Sequence, residues 1–438
     1  MIVFPRTLSM NTASAMRRRI RAILFCAAMT TMTASGASLA DTALGATLEG
    51  LIDFARTNNP TLAATRLDAA AARERITSAT ALSDPQLEVE LMDVTNAMNR
   101  GRSASILPGE VGTTTWRVKQ MLPYPGKRGL RGEIAEALAA RADADSTLAR
   151  LDVEVAIRRA YIEHFQAADQ IRIIDQTIAL TERLETLVLN RYELGLASQQ
   201  DALQVQGELT SLKIDRVEAE RQRGAAIAAL NALLPRAPDA PLSEPVTLPA
   251  LPAQHALAAL IEQAAQHAPV LDRARSELAA AESARALTYR ERYPDFGVSV
   301  ANNRPRGGRD SWDLMFELNI PLQQSSRRAR EREAEYSRDA AEARRDAAAT
   351  RLAGTIGETR AALEARRDQA RLVRDTLLPQ TEASLASALA GYETGTVGFG
   401  TVIDAQRRIL RTRLSLLDTE VEASLRAADL EQLLGAPL

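Results

Sequence analysis

Residue types that make or break bonds are scarce in this 438-residue chain and nowhere assembled. His164, His255 and His267 have no carboxylate or cysteine at metal-ligand spacing, and the single cysteine, Cys26, stands alone. No hydroxyl or thiol is joined by motif to a base, so no catalytic residue, metal site or cofactor is expected. What recurs instead is a glycine turn followed by a carboxylate. Gly195-Leu196-Ala197-Ser198 leads to Asp201, and Gly395-Thr396-Val397-Gly398 leads to Asp404. Glycine in such a place ends one helix and lets another begin, and the aspartates then read as solvated or capping side chains at the new helix start.

Long helices must present these turns. Aromatics are only 4% of the residues, and Ala, Leu, Arg and Glu fill long proline-free stretches, the composition of extended helices and coiled coils. From Pro125 to Arg191 no proline intervenes, which predicts about 65 residues of near-continuous helix, roughly 100 Å at 1.5 Å per residue. Apolar residues step by three and four at Ala202, Val205, Leu209 and Leu212 and again at Ala226, Leu230 and Leu233, as a packed seam requires. The 54 basic and 56 acidic residues interleave to a net charge of -2, so no basic footprint for nucleic acid exists.

The chain repeats itself. Leu51-Ile52-Asp53-Phe54-Ala55, leading to Asn59-Pro60, returns 209 positions later as Leu260-Ile261-Glu262-Gln263-Ala264, leading to Ala268-Pro269. Asp84-Pro85 and Tyr293-Pro294 match at the same offset. Arg191-Tyr192-Glu193-Leu194-Gly195 then matches Gly391-Tyr392-Glu393-Thr394-Gly395 at an offset of 200, and the change is explained if 95–112 is a longer loop than its counterpart near 303–310. Between the copies, Pro235, Pro238, Pro241, Pro245, Pro249 and Pro252 exclude a helix. The expected organisation is therefore a first repeat at 41–234, a linker at 235–254 and a second repeat at 255–438.

Residues 1–40 read as a secretory signal peptide: Arg17, Arg18, Arg19 and Arg21 precede an apolar run from Ala22 to Met32, and Ser38-Leu39-Ala40 offers small residues at a cleavage site. Phe25 before Cys26 is not the small residue that lipoprotein processing requires, so neither a lipid anchor nor a disulfide is expected. No later apolar run approaches the roughly 20 residues of a spanning helix. Any crossing of a membrane must use strands.

Four segments alternate as strands do. Leu87, Val89 and Leu91 oppose Gln86, Glu88 and Glu90; Trp116 and Val118 oppose Thr115, Arg117 and Lys119. Phe296, Val298 and Val300 share one side of the third, and Trp312, Leu314, Phe316, Leu318 and Ile320 oppose Ser311, Asp313, Met315, Glu317 and Asn319 in the fourth. The lengths suit tilted membrane strands, with Trp116 and Trp312 near one end and Tyr124 and Tyr293 at the other, as two aromatic girdles require. The same alternation fits a half-buried soluble sheet. If lipid is the solvent, open edges are not tolerated, and four strands close a barrel only by sharing it with other chains.

The duplicated helix, strand, strand, helix unit, with the motifs Tyr192-Glu193-Leu194-Gly195-Leu196-Ala197-Ser198-Gln199-Gln200-Asp201 and Tyr392-Glu393-Thr394-Gly395-Thr396 through Asp404, resembles the TolC-type outer-membrane efflux channel family. Ser83-Asp84-Pro85 and Gln120-Met121-Leu122-Pro123-Tyr124-Pro125-Gly126-Lys127-Arg128 are similar to its cation-efflux branch. The resemblance implies a mainly helical homotrimer in the bacterial outer membrane, with four strands per chain in a twelve-stranded barrel and a helical tunnel reaching into the periplasm. It implies service as the exit duct of a periplasmic adaptor, or membrane fusion protein, and an inner-membrane RND pump. The cargo would be heavy-metal cations, or alternatively drugs or solvents, and the alternative of another class is a soluble periplasmic coiled-coil scaffold.

By position, Asp201 and Tyr392 match a gate pair and Asp404 a carboxylate that forms a ring in the trimer. Gly195 to Ser198 and Gly395 to Gly398 match the tips that dock the adaptor. Trp116, Val118, Phe296, Val298, Trp312, Leu314, Phe316 and Leu318 would face outer-membrane lipid. Thr401 stands where the best-known pattern is acidic and Val397 where it is basic. Three like carboxylates at a constriction would draw cations and raise one another's pKa.

Overall fold

A computed structural model describes residues 44–97 and 103–436; the expected signal peptide lies outside them. The first repeat comprises α1 (Leu48–Asn58), α2 (Pro60–Thr80), β1 (Gln86–Met92), β2 (Thr113–Leu122), α3 (Lys127–Glu193) and α4 (Gln199–Leu233). The second comprises α5 (Leu257–His267), α6 (Pro269–Arg290), β3 (Asp295–Pro305), β4 (Ser311–Asn319), α7 (Gln324–Leu372), α8 (Leu378–Glu393) and α9 (Phe399–Leu434). The two copies thus follow the same element order, with residues 93–112 joining β1 to β2 and only 306–310 joining β3 to β4.

Local chemistry sets the element ends. Asn59 caps α2 by accepting from Thr61 N at 2.9 Å, Pro60 occupies the first turn, and Asn59 Nδ2 donates to the Leu233 carbonyl at the end of α4. In the second repeat Ala268 leaves α6 without a side-chain cap, and Pro269 alone marks the start. Helix α3 runs 67 residues unbroken. Its counterpart is interrupted at Val373–Leu377, where Leu378 N bonds the Val373 carbonyl one residue further back than in an α-helix. Pro379 follows at once, and the widened π turn accommodates a ring that would otherwise clash with the preceding turn.

In one half of the molecule the helices lie side by side in the order α2, α3, α6, α7; in the other, α3 packs on α4 and α9, and α9 on α8. Equivalent residues build equivalent cores: Leu51, Ile157, Leu230 and Leu234 in one repeat, Leu260, Ile356, Leu430 and Leu434 in the other. The proline-rich linker is extended and follows α3. Ser243 N donates to Leu44 O at 2.9 Å, Tyr161 Oη to Thr247 O at 3.1 Å, and Leu242 and Leu248 dip into the helical cores.

The strands form one antiparallel sheet in the order β1-β2-β3-β4, and among the described residues nothing pairs with the outer edges of β1 and β4. Register aligns Leu87 with Val118, Val118 with Val300 and Val300 with Leu314, and continues through Val298 with Phe316 and Phe296 with Leu318. All of the apolar parity therefore falls on one face. Every residue of β4 is exposed, Trp312 by 73% and Phe316 by 75%, and among the described residues no helix covers the face. A sheet face of this composition calls for a cover that the described residues do not supply.

Candidate functional site

Two surfaces carry the chemistry: the sheet and the paired helix turns. On the apolar sheet face, Trp116, Val118, Phe296, Trp312, Leu314, Phe316 and Leu318 are exposed and Val298 is half-buried. Val89, Trp116, Asn302 and Trp312 share one row, so both tryptophans sit at one level. Tyr124 and Tyr293 stack at the opposite end with ring centres 4.5 Å apart, and Phe296 lies 6.4 Å from Tyr124. The other face is ionic. Arg117 lies between Glu88 at 3.1 Å and Glu90 at 3.6 Å, Lys119 pairs with Glu317, and Asn303 bridges Thr115 at 2.8 Å and Asp313 at 2.6 Å. Arg117 bonds across to the adjacent β1, and Lys119 on β2 reaches over β3 to Glu317 on β4, so opposite charges tie the strands together while keeping the face wettable.

At the far end, α3 and α8 stop in the same way. Leu196 N bonds Arg191 O at 2.7 Å and Gly195 N bonds Tyr192 O at 2.9 Å; Thr396 N bonds Gly391 O at 2.8 Å and Gly395 N bonds Tyr392 O at 3.1 Å. This double closure requires a left-handed residue, and Gly195 and Gly395 supply it at φ +71° and +75°. Gly195, Leu196, Ser198, Gly395, Thr396 and Gly398 are exposed, while Ala197 and Val397 are half-buried.

The following helices start differently. Ser198 and Asp201 form a reciprocal capping box on α4, with Asp201 N to Ser198 Oγ and Ser198 N to Asp201 Oδ2 both at 3.2 Å. Gly398 has no side chain to cap α9; there Phe399 is buried against Tyr392, with ring centres 5.3 Å apart.

The structure brings Asp201 and Tyr392 into electrostatic range without a hydrogen bond between them. Tyr392 is 5% exposed, and its hydroxyl has no hydrogen-bond partner. Burial, reinforced by the Asp201 carboxylate, raises the phenol's pKa, and Arg191 opposes that shift. Asp404 lies exposed on α9, on the same helix as Arg407, whose guanidinium grips the buried Glu208 carboxylate of α4 at 2.6 and 2.9 Å. Val397 packs on the tip core, and a side chain on Gly391 would meet it at 3.0 Å; its aliphatic body therefore has a packing role that a basic residue would not fill.

Sequence spacing does not mark the contacts of Arg407 with Glu208, of buried Gln406 with Thr181, or of Arg191 with Tyr392. The last had a visible trace, because Arg191 stands where the second repeat has Gly391. Among the described residues no group of three or more His, Cys, Asp or Glu could hold a metal ion, and no helix is long and apolar enough to cross a membrane.

The family described as Outer membrane efflux protein matches residues 51–235 and 260–436. The chain is 22% identical over 393 residues to the cobalt-zinc-cadmium resistance protein CzcC of Cupriavidus metallidurans, covering 89% of this chain and 90% of that protein. It is 26% identical over 425 residues to the outer membrane protein OprJ of Pseudomonas aeruginosa, with 89% and 84% covered. Its fold is similar to that of CusC, whose structures concern transmembrane channel formation, with a TM-score of 0.77 at 18% identity over 93% of this chain and 96% of that one. The outer membrane protein VceC from Vibrio cholerae gives 0.75 at 18% identity over 89% and 96%.

Proposed function

Since the chain belongs to the outer membrane efflux protein family, and so is a passive outer-membrane channel extending into the periplasm and not an enzyme, we propose that it is the exit duct of a tripartite RND-type efflux system for heavy-metal cations. The observation that carries the duct reading is the sheet, apolar and uncovered on one side, ionic on the other and unpaired at both edges. Such a sheet is stable in lipid only when its edges are closed, and three copies pairing β4 with the next copy's β1 would make a twelve-stranded barrel. Trp116, Val118, Phe296, Val298, Trp312, Leu314, Phe316 and Leu318 then face lipid, and the ionic face lines the lumen.

The metal cargo is supported by the similarity to a cobalt-zinc-cadmium resistance protein along 89% of the chain. In this reading the exposed turns 195–198 and 395–398 receive the periplasmic adaptor, and the inner-membrane pump supplies the energy. The constriction lies just behind them. Tyr392 contributes a buried ring, Asp201 fixes the start of α4, and Asp404 offers one exposed carboxylate per chain to a ring of three.

Deletion of the gene separates the cargo readings. Loss of resistance to zinc, cobalt or cadmium is expected, whereas sensitivity to hydrophobic drugs or solvents alone would refute the metal assignment. The protein should fractionate with the outer membrane as a detergent-resistant trimer.

A further inference from the structure

We propose that Arg191 is a positioning residue of the gate, a latch that holds the two helical hairpins of each protomer together at their tips by lying on the face of the Tyr392 ring. The proposal rests on the duct reading above and names how its periplasmic end is kept narrow. Arg191 belongs to the last turn of α3 in the first repeat; Tyr392 belongs to the last turn of α8 in the second. The guanidinium carbon stands 5.0 Å from the ring centre, and Nη1 donates to the Glu393 carbonyl at 3.0 Å. Arg191 Nε is buried without a hydrogen-bond partner, as is Tyr392 Oη. The contact is therefore a cation on a ring plus one carbonyl, unlike that of Arg407 with Glu208, where Nε and Nη2 both donate to one carboxylate oxygen.

The arrangement is one-way. At the position equivalent to Arg191 the second repeat has Gly391, where any side chain would press on Val397, so no reciprocal cation reaches back onto Tyr192, which is exposed. Phe399 holds the Tyr392 ring in place, and Arg191 covers it. The pair thus spans the two hairpins at the outermost level of their shared apolar cluster, which contains Val188, Val205, Tyr392 and Val402. A hairpin cannot swing outward at the tip without separating the guanidinium from the ring and from the Glu393 carbonyl.

Single-channel conductance of the full-length trimer in planar lipid bilayers tests this. Arg191→Gln and Tyr392→Leu should each raise conductance at least twofold, and the double variant should go no further than the larger single effect, because both remove one contact. Tyr392→Phe keeps the ring and should open the channel less than Tyr392→Leu does. Detergent-resistant trimers on gels establish that each variant assembles, and Arg191→Met replaces the glutamine variant if that one does not. Wild-type conductance in the Arg191 variant overturns the latch, as does Tyr392→Phe opening the channel as far as Tyr392→Leu, which would transfer the role to the hydroxyl. Wild-type protein that forms no channels at all would instead remove the duct reading on which the latch depends.

Discussion

The Lys127 ammonium, 4% exposed in the first turn of α3, lies 2.8 Å from the Asp295 carboxylate at the start of β3 and 2.8 Å from the Tyr293 carbonyl. The same carboxylate oxygen accepts from Tyr124 N at 2.8 Å. One buried cation therefore joins the helix of the first repeat to the strand of the second, beside the stacked Tyr124 and Tyr293 rings. Lys127→Met leaves a half-buried carboxylate and a carbonyl without their partner, at an expected cost of about 2–3 kcal/mol. The check is the temperature at which detergent-solubilised trimers dissociate, which should fall; an unchanged value would mean that water replaces the ammonium without loss.

The two glycine turns should respond alike. Gly195 and Gly395 have positive φ, and a Cβ at either would meet nothing within 4 Å, so alanine is penalised through the backbone alone, by about 1–2 kcal/mol. Hydrogen exchange at the Leu196 amide should accelerate in Gly195→Ala and at the Thr396 amide in Gly395→Ala, because those amides close the turns onto Arg191 and Gly391. Unaltered exchange would show that the turns relax to another closure.

Patterns that repeat within a few residues were legible in the sequence. Strand parity placed Leu314, Phe316 and Leu318 on one face, the proline-free stretch predicted α3, and the duplicated Tyr-x-x-Gly turns lie together at the tips. Contacts that depend on packing between repeats were not. Arg191 reaches a carbonyl 202 residues away, and Lys127 reaches Asp295 across 168; no local periodicity specifies either partner. Asp201 was legible in two roles at once, and the structure engages its carboxylate as the cap of α4 while leaving the Tyr392 hydroxyl unpaired. The π turn follows from a single proline in a helix long enough to absorb it.

His164 supplies a pH dependence. Its ring is 1% exposed on α3, and burial lowers its pKa from the ordinary 6.5. The Ser243 main chain and the Glu244 carboxylate of the linker oppose that shift, while Arg223 of α4 adds to it. The unfolded chain thus takes up a proton at higher pH than the folded one. Stability is full above about 6.5 and is lost as pH falls through the folded value. Melting temperature should decline from pH 7 towards pH 5 in wild type and less steeply in His164→Met, so parallel profiles would exclude the histidine as the cause.

The sheet's two faces predict opposite tolerances along one strand. Phe316 pairs with Val298 in the middle of the apolar face, and its neighbour Glu317 points to the ionic face, where it meets Lys119. If the apolar face meets hydrocarbon, Phe316→Arg places a charge where each such group costs about 2–4 kcal/mol. Three copies in one barrel multiply that cost, so little trimer should accumulate in the outer membrane. Glu317→Gln removes one ion pair at a half-exposed site, a change of roughly 0–1 kcal/mol, and should assemble normally. Immunoblots of unheated outer-membrane fractions read both variants. Equal trimer levels in the two would mean that the Phe316 side of the sheet faces water or protein, and the barrel would then have to be turned inside out relative to the arrangement proposed here.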